Sequence, residues 1–346
     1  MTLSIIIPVY NRPEELRELL ASLAGQTDRD FEVVVVEDGS TETSEAVVRA
    51  YEVGLQAEAT PQAEAPQAEA TRQADGKAPI RYISKPNTGP GLSRNEGAVL
   101  AQGDFFVFLD SDCVLPSGYV AAVKAGIAQT GCDVFGGPDR AGDDFSPMQK
   151  AVSYSMTSFF TTGGIRGGGE KMEKFHPRSF NMGVSRKAFE QVGGFSGMRY
   201  GEDIDFSIRL IRAGYKSVLL KDAWVCHKRR TSLRAFFRQV FHSGAARIRL
   251  ERKHPHSLKA VHTLPALFTL GTVLLLAGFG FFLLAGYFQA ALICLAPLVL
   301  YALLIFLDSL FRNGAQVALL SIKTSFVQLW GYGCGFISAF FVRSII

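Results

Sequence analysis

The sequence predicts an α/β protein with a mostly parallel sheet flanked by helices, followed by C-terminal transmembrane helices. Three observations lead to this prediction. Short apolar runs alternate with helical patterns up to about residue 225, which is typical of parallel strands covered by helices. Residues 264–307 contain no Asp, Glu, Lys, Arg or His. The preceding segment, 228–259, carries ten Lys or Arg and a single acid, Glu251.

The composition excludes several classes of protein. The chain has 346 residues, of which 48% are hydrophobic and 27 are Phe, so it can bury a large core and is not disordered throughout. Five Cys are too sparse for a disulfide scaffold. A formal net charge of +4 argues against a nucleic-acid partner. The mean hydropathy of +0.16 is high for a purely soluble protein.

The first half of the predicted sheet follows from the apolar pattern. A strand is expected over residues 3–9, followed by a helix with Pro13 in its first turn. A second apolar strand is expected at 31–36, with a helix at about 43–51. Strands that alternate with helices in this way pair in parallel, and ligands bind at their carboxyl ends.

The second half of the pattern is interrupted by an insert. Residues 56–74 contain near repeats of Gln, Ala, Glu and Pro without a large apolar residue, which predicts a solvated low-complexity loop. A strand at 80–84, a helix at 91–100 and a Phe-rich strand at 104–109 then resume the order.

The C-terminal part predicts two or three membrane spans. Residues 264–307 are long enough for two spans joined by a tight turn near Gly286, because one span needs about 20 apolar residues. A third uncharged run, 324–342, is interpreted as a third span or as a re-entrant or interfacial segment. The chain opens without a basic region or a cleavage site, so the anchor is expected at the C-terminal end.

The basic segment 228–259 sets the expected orientation. Lys and Arg beside a span mark its cytoplasmic side, so the soluble region is expected in the cytosol, held at the cell (inner) membrane by a multi-pass anchor. Apolar residues recur at helical spacing within this segment, among them Phe236, Val240 and Ile248. Such a helix is typical either of the surface of an anionic membrane or of packing against a globular domain.

Three acidic motifs stand where the pattern places strand ends or a helix start. Glu37-Asp38 follows the second predicted strand, where a carboxylate can bind a ribose or a base. Asp110-Ser111-Asp112 leaves a buried strand, and two such carboxylates are costly unless they are paired or metal-bound. Glu202-Asp203 opens a helix, as a dipole partner or as a general base.

In this order the motifs resemble those of family 2 glycosyltransferases of the GT-A fold. The resemblance covers about residues 2–225, apart from the insert, and runs through residues 4–12, 37–40, 87–95, 110–112, 193–195 and 201–203. It implies a catalytic domain at 1–225 with an insert at 56–74, a basic amphipathic segment at 226–262 and a membrane domain at 263–346.

The resemblance also implies roles for individual residues. The nucleotide-diphosphate sugar donor is expected to contact Pro8, Tyr10, Asn11, Glu37, Asp38, Arg94, Asp110 and Ser111. A divalent cofactor, Mg²⁺ or Mn²⁺, is expected on Asp112, Asp110 and His227. Asp203 is expected to be the catalytic base, with Glu202 positioning the acceptor or the base. An alternative for His227 is that it merely heads the basic segment.

The function implied is inverting transfer of a hexosyl or N-acetylhexosaminyl group to a lipid-linked or glycan acceptor beside membrane lipid, in the synthesis of cell-surface glycans. Processive polymerases of the family carry a Q-x-x-R-W pattern after the E-D motif. The segment that begins at Gln239 lacks the Arg-Trp of this pattern, which disfavours a processive polymerase. Two alternatives remain: a polyprenyl-phosphate sugar synthase, and a non-catalytic membrane scaffold with a degenerate transferase domain. A sugar-1-phosphate nucleotidyltransferase is disfavoured because no Gly-rich basic loop follows the first strand.

Overall fold

The computed structural model describes residues 1–57, 78–140, 142, 145–162 and 175–342. The chain forms two compact units, Met1–Arg140 with Met172–His227, and Ala141–Lys171 with Lys228–Ile346. The predicted low-complexity loop at 56–74 falls outside the described residues from position 58 onward.

The described residues contain ten strands, all of them in the first unit. In chain order they are β1 (Leu3–Val9), β2 (Phe31–Asp38), β3 (Ile80–Lys85), β4 (Phe105–Leu109), β5 (Cys113–Val114), β6 (Val134–Gly136), β7 (Asp139–Arg140), β8 (Asn181–Ser185), β9 (Ser217–Leu219) and β10 (Val225–His227). Seven form one sheet in the order β3-β2-β1-β4-β8-β6-β9. Only β8 runs antiparallel to its neighbours. The predicted α/β class with a mostly parallel sheet is confirmed.

Twelve α-helices are described. In chain order they are α1 (Pro13–Ala24), α2 (Glu45–Ala57), α3 (Pro90–Leu100), α4 (Tyr119–Thr130), α5 (Pro147–Thr157), α6 (Phe159–Thr162), α7 (Arg186–Val192), α8 (Glu202–Arg212), α9 (Leu233–Lys253), α10 (Leu264–Leu284), α11 (Phe288–Asn313) and α12 (Ala315–Phe341). A short 3₁₀ turn, Ala260–His262, precedes α10. The second unit contains α5, α6 and α9 to α12.

The central strands are buried along their whole length, which is why their sequences are continuous apolar runs. β1 lies between β2 and β4, and both pair with it in parallel. The carboxyl ends of these three strands therefore meet at one edge of the sheet. β2 ends at Asp38, two residues later than predicted, so Glu37 and Asp38 are its last residues and do not follow it.

A small second sheet has the strand order β5-β10-β7, and its strand β5 follows β4 in the chain. β10 pairs antiparallel with β5 and places His227 opposite Cys113. β10 begins at Val225. This pairing joins residues more than a hundred positions apart.

Two described helical segments of the second unit, Ala260–Leu284 and Phe288–Asn313, are long and apolar enough to cross a bilayer. The turn between them contains Gly286 at φ +81°, as the sequence predicted. The third uncharged run is part of α12, which begins nine residues earlier and includes Lys323. α12 is not among the described helices that meet the same criteria.

The apolar side of the basic helix α9 packs against α12. Phe236, Val240 and Ile248 are buried. Glycines allow the close approach: a Cβ on Gly335 would lie 1.9 Å from the carbonyl oxygen of Phe241, and one on Gly244 would lie 2.0 Å from that of Tyr332. The apolar residues of α9 were expected to contact either a membrane surface or the globular domain. They are buried against protein, and α12 is the helix that they contact.

Candidate active site

The turn after β4 carries two of the predicted carboxylates. β4 is a fully buried run of five apolar residues, and the chain leaves the sheet at Asp110. The backbone N–H of Cys113 donates to the carbonyl of Asp110 at 3.1 Å and closes the turn. Asp112 is only 8% exposed, and Ser111 is 5% exposed. The burial predicted for this motif is therefore observed at Asp112, whereas the side chain of Asp110 is 31% exposed.

Asp112 is held by two groups from distant parts of the chain. Its Oδ2 accepts a hydrogen bond from Nη1 of Arg12. Its Oδ1 lies 3.1 Å from Nε2 of His227, whose ring stacks on Phe180 with centroids 4.9 Å apart. Burial disfavours the carboxylate, but the attraction of His227 and Arg12 outweighs it and lowers the pKa of Asp112 below its usual range.

Arg94 connects the two acidic motifs. Its Nη2 donates to Oδ1 of Asp110 at 2.6 Å, and its Nη1 donates to Oε1 of Glu202 at 3.1 Å. The side chain of Arg94 is 3% exposed. Burial and the adjacent charge of Asp203 raise the pKa of Glu202 to about 7, because together they outweigh the attraction of Arg94. One buried guanidinium thus fixes the distance between Asp110 and the start of α8.

Asp203 lies in the first turn of α8, which begins after Gly201 at φ +83°. Its Oδ2 accepts from Nη1 of Arg178 at 3.3 Å, and its Oδ1 accepts from the N–H of Ile204 at 2.8 Å. Burial opposes ionisation, but Arg178, the Ile204 N–H and Arg94 more than compensate, so the pKa of Asp203 is lowered. The carboxylate is therefore ionised, which is the form that accepts a proton.

Three residues predicted to contact the nucleotide-sugar donor lie at the end of β1 and in the loop that follows it. Pro8 is buried within β1, and Tyr10 is 51% exposed. Asn11 adopts φ +52°, a conformation that Asn tolerates better than most residues. Its Oδ1 accepts from the N–H of Thr41 at 2.8 Å, and its own N–H donates to Oγ of Ser40 at 2.7 Å. Asn11 therefore ties the loops after β1 and β2 together.

Glu37 and Asp38 are both buried and bonded within the protein. Glu37 accepts from the N–H of Ser44 at 2.7 Å. Asp38 accepts from Nζ of Lys85 at 2.5 Å and from the N–H of Thr88 at 2.8 Å. Burial opposes ionisation of Asp38, yet these two hydrogen bonds and the charge of Lys85 outweigh it and lower its pKa. Both carboxylates thus fix the loops at this edge of the sheet.

The donor atoms beside Asp112 fit a small divalent cation. The Asp112 carboxylate, the Cys113 thiol and the His227 imidazole lie within 4.8 Å of one another. Oδ1 of Asp112 is buried and makes no hydrogen bond within the described residues, although it faces Nε2 of His227. Two ligands at the bond lengths of about 2.1 Å found for Mg²⁺ lie about 3 Å apart when adjacent, which matches this separation.

Not every predicted metal ligand joins this group. Burial raises the pKa of the Cys113 thiol well above its usual value, and Cys113 is not among the predicted ligands. Asp110, which the resemblance included as a ligand, is paired with Arg94. Asp112 and His227 are therefore the two predicted metal ligands whose donor atoms lie close together.

Sequence reasoning missed Arg12 and Arg178 as site residues. Arg12 belongs to the first motif, but nothing in the spacing showed that it would reach Asp112, 100 residues away. Arg178 lies 25 residues before Asp203 and outside every motif. The available signal was indirect: buried carboxylates require cationic partners, and these two had none assigned.

The mixed sheet, with acidic groups at the carboxyl ends of its parallel strands, has the GT-A fold. The mannosyltransferase PcManGT from Pyrobaculum calidifontis, solved with GDP-Man and Mn²⁺, resembles this chain with a TM-score of 0.53. The identity is 18%, and the match covers 95% of this chain and 87% of that one. At this identity the likeness shows the fold alone.

Comparison with family models then identifies the family. The model described as Glycosyl transferase family 2 matches residues 4–193, and the one described as Glycosyl transferase family group 2 matches residues 105–307. The first match covers more than half of the 346 residues. This chain belongs to glycosyl transferase family 2.

Two curated relatives illustrate how far the similarity extends. Validoxylamine A glucosyltransferase from Streptomyces hygroscopicus is 36% identical over 127 residues, which cover 36% of this chain and 25% of that protein. Glycosyltransferase AglE from Haloferax volcanii is 25% identical over 265 residues, which cover 75% of this chain and 78% of that protein. The chain thus spans about a quarter of the first relative's length.

Proposed function

We propose that this protein is a membrane-anchored, inverting glycosyltransferase. It moves a hexosyl or N-acetylhexosaminyl group from a nucleotide-diphosphate sugar to a hydroxyl of a lipid-linked or glycan acceptor, in the synthesis of cell-surface glycans. The observation that carries the proposal is the linkage of Asp110 to Glu202 through the buried guanidinium of Arg94. This linkage fixes the D-x-D turn next to the helix that presents Asp203.

Individual residues have separate roles in the proposed reaction. Asp203 accepts the proton of the acceptor hydroxyl as that oxygen attacks the anomeric carbon, because its carboxylate is kept ionised by Arg178. Asp112 and His227 would hold a divalent cation, for which the Mn²⁺ reported with PcManGT is a precedent. When bound, the cation stabilises the negative charge of the departing diphosphate.

The membrane role rests on the two apolar helical segments and the basic segment. Ala260–Leu284 and Phe288–Asn313 would cross the inner membrane, with the basic residues 228–259 on the cytosolic side. Many large apolar side chains on α10 and α11 are exposed, including Leu274, Leu284 and Phe311, as lipid contact requires.

The test measures nucleoside diphosphate release by the purified, detergent-solubilised protein with a panel of sugar nucleotides. Release is measured with Mn²⁺, with Mg²⁺ and with a chelator. We expect turnover with at least one donor, loss of turnover with the chelator, and a fall of about 100-fold or more in Asp203→Asn and Asp112→Asn. The exposed Asp222→Asn is the matched control. Absence of release with every donor, or full activity of both site variants, would refute the proposal.

A further inference from the structure

The two carboxylates of the D-x-D turn are held by arginines in contrasting surroundings. Arg94, on Asp110, is enclosed between protein carboxylates with 3% of its side chain exposed. Arg12, on Asp112, keeps 26% of its side chain exposed. Both arginines pair with a carboxylate of this turn, but only Arg12 retains a surface that a ligand can reach.

Arg12 also occupies a distinctive place in the chain. It directly follows Tyr10 and Asn11 in the loop after β1, and it precedes the first residue of α1. The hydrogen bonds of Asn11 to the loop after β2 fix this part of the backbone. The side chain of Arg12 thus begins at a loop predicted to contact the nucleotide-sugar donor, and its guanidinium binds the carboxylate proposed for the metal.

We infer that Arg12 binds the diphosphate of the nucleotide donor, an inference that rests on the proposed function. The diphosphate is the part of the donor that a cation on Asp112 and His227 would contact, and Arg12 reaches the same carboxylate, so Arg12 lies beside the place proposed for the diphosphate. Arg12 donates to Asp112 through Nη1. A guanidinium has five N–H donors in a planar fork that suits phosphate oxygens, so further N–H groups remain for the diphosphate.

The bond to Asp112 leaves room for the metal. Arg12 uses Oδ2 of Asp112, whereas His227 faces Oδ1. A cation bound between Oδ1 and His227 can therefore coexist with Arg12 on the opposite oxygen. The arginine then contributes to donor binding by supplying a second positive charge to the phosphates.

The test compares nucleoside diphosphates with the matching monophosphates. Binding of UDP, GDP, UMP and GMP to the full-length protein in detergent with Mn²⁺ is measured by titration calorimetry for wild type, Arg12→Ala, Arg12→Lys and Arg17→Ala. Arg17 lies on α1, pairs with Glu14 and is 56% exposed, so it is a matched control. We expect Arg12→Ala to weaken diphosphate binding about 10- to 100-fold and monophosphate binding less than about threefold. Arg12→Lys should fall between these limits, and Arg17→Ala should match wild type.

A second measurement separates binding from a merely structural role. Removal of the positive charge of Arg12 should leave the affinity for Mn²⁺ alone unchanged or increase it, because the cation no longer lies beside an arginine. Equal losses for diphosphate and monophosphate, no loss at all, or weakened binding of Mn²⁺ alone would overturn the inference. If wild type binds none of the nucleotides, the proposed function itself fails. Should Arg12→Ala not fold, the Arg12→Lys ratio of diphosphate to monophosphate affinity decides.

Discussion

The candidate site of the first unit and the helix pair of the second unit are stabilised by opposite means. In the site, acids depend on long cationic side chains, as the buried Glu202 and the partly exposed Asp110 depend on Arg94. In the helix pair, α9 and α12 depend on missing side chains, because Gly244 and Gly335 allow backbone contact. Loss of atoms should therefore damage the first region, and addition of atoms should damage the second.

The largest effect is expected from Arg94→Met. Loss of the guanidinium leaves Asp110 and Glu202 without their shared cation, and breaking a buried ion pair costs about 3–5 kcal/mol. Denaturant unfolding, followed by circular dichroism, measures the free energy of unfolding. In the Asp110→Asn, Glu202→Gln background, the same change should cost far less. A loss of less than about 1 kcal/mol in the single variant would show that these charges are solvated and not buried.

A somewhat smaller effect is expected when a methyl group is added to the helix pair. Gly335→Ala places a Cβ against the carbonyl oxygen of Phe241, and overpacking of this kind costs about 1–3 kcal/mol. The melting temperature in detergent should fall. Gly271→Ala on α10 is the matched control, since nothing lies within 4 Å of its Cβ position, and it should be neutral or slightly stabilising. Equal melting temperatures for both variants would contradict the close approach of α9 and α12.

The next effect concerns the acid limb of the activity profile. Because Arg178 lowers the pKa of Asp203, wild-type turnover should fall only below the usual titration range of an Asp. Arg178→Gln removes the cation and should move this limb to higher pH by about one unit. The measurement is kcat against pH. Arg199→Gln, an exposed arginine four residues before Asp203, should leave the limb in place. An unshifted limb in Arg178→Gln would separate Arg178 from the ionisation of Asp203.

The smallest effect is a pH dependence of stability. The folded protein raises the pKa of Glu202 to about 7, so it binds this proton more tightly than the unfolded chain does. Stability from this group is therefore present at low pH and is lost as the pH rises through 7, by on the order of 1–2 kcal/mol between pH 5 and 8. Glu202→Gln should flatten that part of the curve of unfolding free energy against pH. A curve identical to wild type would place Glu202 in a more solvated setting.

Much of the fold could be predicted because its signals are local. The buried strands are runs of five to eight residues with mostly apolar side chains, so β1 and β4 were located within one residue of their ends. The antiparallel β8 could not be foreseen, since its pairing with β4 and β6 depends on contacts distant in sequence. For the same reason the pattern gave no sign that α5 and α6 belong to the second unit.

Only part of the candidate site could be predicted from the sequence. Spacing and family resemblance singled out the acids, because carboxylates at strand ends form short recognisable motifs. Their cationic partners were harder to identify, since Arg12 and Arg178 are defined by where the fold brings them. His227 was singled out by the resemblance, and its approach to Asp112 depends on the β5–β10 pairing, which no local pattern in the sequence indicated.

The helix α5 has a consequence for the order in which the protein is made. The carbonyl of Ala151 accepts from Oγ1 of Thr324, and the hydroxyl of Tyr154 donates to Asp308 at 2.7 Å. Thr324 follows Ala151 by 173 residues, and Asp308 follows Tyr154 by 154 residues. At a synthesis rate of about 5–20 residues per second, α5 leaves the ribosome roughly 8–35 seconds before they do. Its contacts with α11 and α12 can therefore form only after this interval, so the pace of the ribosome limits how early the second unit assembles.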